Sequence, residues 1–296
     1  MGGGFCPSVR QPACYCSAVR NTAKDLVSTR DPQVDRRFVT ALARGLDVLA
    51  CFKFGERWLT HQEITRRTGL PKATVSRLAF TLASLGYLVH LPERGVYGLG
   101  AGGLALGYRV LSSTDVARLA RPVMAELADY SRAAVSLGTR HHLSMVYVAH
   151  CRGQGRLTLG LDVGARLPID RTSMGRALLC VLEPAQRDEL CRRLMQANEE
   201  GWERRAEGIA RAVVDYPRLG FATSEREWEL DISAVGVALQ LRDGKEPYVL
   251  NIGGPSSWLT HERLHQDLGP RLAAAARRIE AIVVSGVSAG EAAAQF

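Results

Sequence analysis

Apolar residues at Leu42, Leu46, Leu49 and Cys51 or Phe52 recur at the three-and-four spacing of a helix with one buried face. They predict a first helix from about Phe38 that ends by Gly55. Thr60 followed by Glu63 has the form of a capping box, in which hydroxyl and carboxylate satisfy the orphan amides of a helix start. A second helix then runs through Ile64 and Arg67. Gly69 supplies a left-handed stop, and Pro71 suits the first turn of a third helix that turns Val75, Leu78, Leu82 and Leu85 inward before Gly86. Two helices joined at a tight glycine corner are a helix-turn-helix. Residues 87–91 and 96–99 read as short strands around Pro92, Glu93, Arg94 and Gly95, a hairpin that completes a winged helix.

Beyond the hairpin, a short helix through Val110 and a longer one from a Thr114 cap to about Tyr130 predict a linker. Strands follow at residues 135–139, 144–151 and 157–161, then helices at 174–182, 184–195 and 203–216. Strands return at 234–241 and 248–252, and a last helix starts at the Thr260 cap and passes Ile282. This order implies an α+β domain with a largely antiparallel sheet. The expected division is a basic extension without periodicity (1–36), a winged helix-turn-helix (37–100), linker helices (101–131), a second domain (132–286) and a flexible tail (287–296).

The composition, 46% apolar and 23% charged over 296 residues, suits a soluble protein with two cores. The longest apolar runs, 145–149 and 273–276, fall far short of the roughly 20 residues of a membrane-spanning helix. Residues 1–5 carry no basic n-region, so no export signal is expected. Cys6, Cys14, Cys16, Cys51, Cys151, Cys180 and Cys191 show no paired CxxC spacing, which fits a reducing cytoplasm; no metal site or cofactor is expected. Residues 1–37 hold six Lys/Arg against three Asp/Glu, and residues 38–100 hold eight against four. Seven of the eight net positive charges therefore lie in the first 100 residues, as suits a module that faces phosphates.

In a helix-turn-helix, outward residues at the start of the second helix meet bases and phosphates in the major groove. Lys72 and Arg77 can donate to phosphate or guanine, Thr74 and Ser76 to phosphate or base edges, and Arg94 at the wing tip to a minor groove or phosphate. The bland alternative is an ordinary solvated helix face. The capping box, glycine turn and hairpin together favour DNA.

FVTALARGLDVLACF from Phe38, LTHQEITRRTGLPKATVSRLAFTLASLGYL, the wing ending VYGLG, PIDRTSMGRALL at 168–179, GFATSEREWE at 220–229 and NIGGP at 251–255 resemble the IclR family of bacterial transcriptional regulators. The likeness spans about residues 38–285, and its opening is similar to the branch that responds to aromatic acids, such as the regulators of protocatechuate and hydroxybenzoate breakdown. It implies a winged helix, a linker helix and a GAF-like effector domain, assembled as a dimer or tetramer on a palindromic double-stranded operator. Effector contacts carried over from the family fall on Gly164, Ala165 and Arg166, on Ser224, on Ala234, and on Asn251 and Gly253. Ser224 and Ala234 stand where members that bind small oxo acids have Asp and Cys, and Asp231 replaces a common Gly. These departures point away from a glyoxylate-like ligand and toward a larger, less polar organic acid. Arg166 beside Gly164 could hold a carboxylate and Asn251 could read a hydroxyl; a surface ion pair and a plain strand-to-loop turn are the alternatives.

Gly98, Gly100 and Gly103 satisfy GxGxxG, yet the preceding strand reads as a hairpin arm and no parallel strand follows. His141 and His142 are expected on opposite sides of a strand. Glu225, Glu227, Glu229 and Asp231, at spacing two, read as a solvated acidic edge. Two other function classes stay open at this point. One is a hydrolase with a helical appendage using Cys180 or Ser173, although no base and orienting partner are recognisable. The other is a winged helix used only for protein contacts, which would show no salt-dependent duplex binding.

Overall fold

The computed structural model describes residues 37–53, 55–112, 115–154, 160–241 and 246–293. The expected extension 1–36, with Cys6, Cys14 and Cys16, the Thr114 cap and most of the expected strand 157–161 lie outside them. Helix α1 (Thr40–Ala50) leads through a short strand β1 (Leu59–Thr60) into α2 (His61–Thr68) and α3 (Lys72–Ser84). Strands β2 (Leu88–Leu91) and β3 (Val96–Leu99) form an antiparallel hairpin across a 3-10 turn at Pro92–Arg94, and β1 pairs with the other edge of β3.

The amide of Glu63 donates to Thr60 Oγ1 at 3.2 Å, so the hydroxyl caps α2 as anticipated. The reciprocal half of the expected capping box is absent: the Glu63 carboxylate accepts from Arg66 and Arg67 instead. Charge-assisted bonds to two guanidiniums outcompete a neutral amide. Gly69, at φ +68°, ends α2 in a left-handed conformation that a β-carbon would strain. Pro71 stands just before α3 rather than within its first turn.

Val48, Cys51, Phe52, Leu59, Ile64, Val75, Ala79 and Leu88 form the N-terminal core. Contrary to the sequence reading, α1 turns Gly45 and Val48 inward, while Leu42 and Leu46 are 63% and 56% exposed; Leu85 is also exposed. Helix α1 carries apolar residues on more than one face, and periodicity alone selects the leucine face. The small Gly45, close to Leu78 of α3, brings the other face into contact.

Arg67 fastens this core. Its guanidinium donates to the Cys51 carbonyl at 2.9 Å and to the carboxylates of Glu56 and Glu63, tying the end of α1 and the loop after it to α2. Hydrogen bonds from Arg66 and Arg67 hold the Glu63 carboxyl down to about 2 from its usual 4.5. Carboxylates with depressed values stabilise above their ordinary range, so this contribution is complete above about pH 4.5 and disappears as pH falls toward 2. Arg67→Ala should cost about 2 kcal/mol at pH 7 in urea unfolding and much less near pH 2. A loss that ignores pH would remove the ion pairs as its source.

Helices α4 (Ala101–Ser112) and α5 (Asp115–Ser131) lead into the C-terminal part. There β4 (Ala134–His141), β5 (Ser144–Cys151), β6 (Arg166–Pro168), β7 (Ala222–Glu225), β8 (Ile232–Leu239) and β9 (Tyr248–Pro255) pair antiparallel in the order β6-β5-β4-β9-β8-β7. One face, with Val135, Leu137, Val235, Val237, Leu250 and Ile252, packs on α5 and on α9 (Gly269–Ala293). The other, with Tyr147, Ala238 and Val249, packs with α6 (Ser173–Val181), α7 (Pro184–Ala197) and α8 (Trp202–Leu219). The architecture is the expected α+β class. Strands β6 and β7, three and four residues long, are too short to show an alternation and escape the sequence reading. The last helix opens with a π-helical segment at Arg263–Leu268 and continues to Ala293, into the stretch expected to be a tail. Among the described residues, no helix is long and apolar enough to cross a membrane.

Candidate nucleic-acid interface and effector cavity

Helix α3 is anchored by Val75 and Ala79, both fully buried, with Leu78 packed against the same core. That anchoring fixes what faces outward. Lys72, Ser76 and Arg77 are exposed and Thr74 half-buried on the first turns of α3, and Arg94 is exposed at the hairpin tip. Cations and hydroxyls at the start of the second helix of the motif, with a further cation on the wing, form a surface that can donate to phosphates and base edges.

Two glycines of the GxGxxG spacing, Gly98 and Gly100, serve packing. A β-carbon on Gly100 would lie 2.3 Å from the Gly86 carbonyl oxygen, and one on Gly98 would strike Trp58. They let the wing and the start of α4 approach the end of α3, and no phosphate cradle is involved.

In the C-terminal part, a small pocket, partly open to solvent, lies between the sheet and the start of α6. Ser224, Ala234, Asn251 and Gly253 line it, joined by Tyr147, Leu167, Thr172, Ser173, Trp228 and Ile232. Gly164, Ala165 and Arg166 are not among the lining residues. They form the loop into β6, bonded to the Tyr147 backbone, and Arg166 Nη2 reaches Ser144 Oγ at 3.3 Å.

The cavity wall is neutral, and its polar atoms divide into two sets. In the first, every group is engaged. Thr172 Oγ1 donates to the Pro168 carbonyl and accepts from the Gly175 amide, capping α6, and Ser224 Oγ donates to the Arg171 carbonyl at 2.7 Å. Burial pushes the Tyr147 phenol up to about 12, against the hydrogen bonds it makes with Ser136 and Asn251, so it stays protonated. Behind the lining, Ser136 Oγ meets His150 Nδ1 at 2.9 Å, His150 Nε2 has no partner in the chain, and burial moves that imidazole toward its neutral form. In the second set, Ser173 Oγ, Trp228 Nε1 and Asn251 Oδ1 are buried and have no hydrogen-bond partner in the chain. Two can donate and one accepts. Buried polar atoms normally find partners, and those that do not mark a strained or ligand-binding place.

Trp228 is held by the segment after β7. Arg226, at φ +60°, turns the chain there, so the acids of 225–231 do not share one strand edge as expected. Glu227 instead takes a two-pronged pair with Arg176 of α6, at 2.6 Å on each arm, and Arg176 also donates to the Thr223 carbonyl. Glu225 faces His261 and His265 on the other side of the sheet. His141 and His142 also depart from expectation. His142 sits in the β4–β5 turn at φ +56°, which brings the two rings to 4.4 Å rather than to opposite faces.

The hydrolase reading gains nothing from this geometry. Burial pushes the Cys180 thiol up to about 12, the reverse of an activated nucleophile, and Ser173 Oγ has no base beside it.

A winged helix-turn-helix joined through helices to an α+β domain is the architecture of a transcriptional regulator. The chain belongs to the IclR family of bacterial transcriptional regulators. The family model for the IclR helix-turn-helix domain matches residues 41–92, and that for the bacterial transcriptional regulator IclR C-terminal region matches residues 108–281. The chain is 35% identical over 245 residues to the HTH-type transcriptional regulator TsaQ1/TsaQ2 of Comamonas testosteroni, covering 82% of this chain and 88% of that protein. It is 31% identical over 277 residues to the Pca regulon regulatory protein of Pseudomonas putida, covering 92% and 93%. Among solved structures, an IclR family regulator from Brucella abortus superposes with TM-score 0.79 at 40% identity, covering 88% of this chain and 97% of that one. An IclR homolog from Microbacterium hydrocarbonoxydans in complex with 4-hydroxybenzoate superposes with TM-score 0.66 at 21% identity, covering 83% and 99%, a likeness of fold alone. These relatives are regulators, and the family assignment replaces the hydrolase reading.

Proposed function

We propose that the protein binds a palindromic operator as a homo-oligomer, a dimer or a tetramer, and that a small aromatic hydroxy acid in the cavity alters that binding. Lys72, Thr74, Ser76, Arg77 and Arg94 contact the duplex. A ligand that prefers one arrangement of paired winged helices shifts operator occupancy through α4 and α5. The observation that carries the ligand class is the trio of buried polar atoms without partners. Ser173 O–H and Trp228 N–H suit a carboxylate placed at the N-terminus of α6, where the helix dipole also favours an anion. Asn251 Oδ1 suits a hydroxyl on the same ligand. Leu167, Ile232, Ala234 and the Tyr147 and Trp228 rings supply apolar walls between them. The 4-hydroxybenzoate complex of the Microbacterium relative supports the same class. Arg166, outside the lining, is left with a supporting place at the sheet edge.

A thermal-shift screen of the full-length protein tests this directly. Hydroxylated aromatic acids should raise Tm, and a ligand at 100 times its Kd stabilises by about 2.7 kcal/mol. Trp228→Phe keeps an aromatic side chain and removes the donor, so it should weaken the best acid about tenfold while operator affinity without ligand stays unchanged. Equal stabilisation by short aliphatic acids, or an unaltered Kd in Trp228→Phe, would overturn the assignment.

A further inference from the structure

We infer that Glu225, His261 and His265 form a divalent transition-metal site, with Zn2+ as its natural test ion. Residues 261–265 read His-Glu-Arg-Leu-His, the spacing at which a helix presents two imidazoles on one side, one turn apart. The fold supplies the third ligand from β7. His261 Nδ1 lies 3.0 Å from Glu225 Oε2, and His265 Nε2 lies 3.0 Å from Glu225 Oε1. The ligand atoms all lie within 4.8 Å of one another. Donors about 2.0–2.2 Å from a tetrahedral zinc stand roughly 3.4 Å apart, so each His–Glu separation needs to open by only a few tenths of an ångström. Two imidazoles and one carboxylate leave a fourth position for water, a donor set that zinc accepts.

The surroundings favour a cation. The nearby guanidiniums are turned to other acceptors: Arg226 Nε donates to the Leu230 carbonyl, and Arg263 donates to the Ser131 carbonyl while stacking on Trp258 at 4.3 Å. Phe221 sets the His265 ring from its edge, with centroids 5.7 Å apart. On metal binding, each imidazole nitrogen now facing Glu225 carries the metal, and its proton moves to the other ring nitrogen. The site is separate from the effector cavity but adjoins it through the sheet, because Ser224, the residue before Glu225, lines that cavity from the opposite face. A bound ion would clamp β7 to the C-terminal helix.

Isothermal titration of EDTA-stripped full-length protein with Zn2+ should resolve a site of one ion per chain that His261→Gln weakens by about tenfold or more. His261 is 75% exposed, so this variant keeps the fold, which circular dichroism verifies; His265→Gln should remove the same site. Co2+ bound there should show ligand-field bands without thiolate charge transfer, separating it from any cysteine site. Zinc binding unchanged in both His261→Gln and His265→Gln, or a thiolate-type cobalt spectrum that His261→Gln leaves intact, overturns the assignment. Neither result depends on which acid fills the cavity.

Discussion

Replacing Arg176 with alanine should cost about 3–5 kcal/mol of stability. The guanidinium is only 3% exposed and binds both oxygens of Glu227, itself 22% exposed, together with the Thr223 carbonyl. Deleting it leaves a carboxylate in a poorly solvated place with no counter-charge, and that uncompensated burial, more than the lost attraction, sets the size of the effect. Burial alone would raise the Glu227 pKa, but the hydrogen bond and charge of Arg176 outweigh it and the net shift is downward. A depressed carboxylate stabilises above its ordinary range and loses that contribution as pH falls, so the gap between wild type and variant should narrow on acidification. The damage should also reach the cavity. Trp228 follows Glu227, and Ser224 follows the Thr223 carbonyl that Arg176 grips, so ligand affinity should fall with stability. Urea unfolding at pH 7 and pH 4 checks the stability loss and its narrowing, and a ligand titration checks the affinity. A loss under 1 kcal/mol would mean that Glu227 swings out to water.

The N-terminal motif was legible because its signals are local. A cap, a left-handed glycine and a two-strand hairpin are each written within a few neighbouring residues. Helix α1 was misread in orientation because its burial is decided by α3, which no local pattern reports. Four cavity residues, Ser224, Ala234, Asn251 and Gly253, were reachable through family resemblance. Tyr147 and Trp228 were not, since one sits mid-strand and the other in a turn set by Arg226, and only folding brings them together. Thr172 was visible as part of PIDRTSMGRALL, and its cap on Gly175 was the overlooked clue that α6 begins at the cavity. Acids at spacing two imply a strand edge, and nothing in the sequence announces the turn at Arg226. The same error hid the pairing of Glu225 with two histidines 36 and 40 residues downstream.

Arg77→Ala should lower operator affinity by about 1–3 kcal/mol per half-site, and by roughly twice that for an oligomer that engages two half-sites together. At 1.4 kcal/mol per factor of ten, the combined loss lies between roughly thirtyfold and twenty-thousandfold. The size of the loss and its salt dependence separate two roles. If Arg77 meets phosphate, binding weakens alike on all sequences and the slope of log K against log salt falls by about one per half-site. If it meets a guanine edge, non-specific affinity barely moves and discrimination at one base position is lost. Arg94→Ala on the wing should change the slope with little effect on sequence preference, since a lone cation at a hairpin tip meets backbone or groove rather than a unique base edge. Both side chains are exposed and outside the core, so neither variant should alter thermal stability or ligand-induced stabilisation. A winged helix reserved for protein contacts predicts instead that wild type itself shows no salt-dependent affinity for duplex DNA, and a flat titration at low ionic strength would establish that reading.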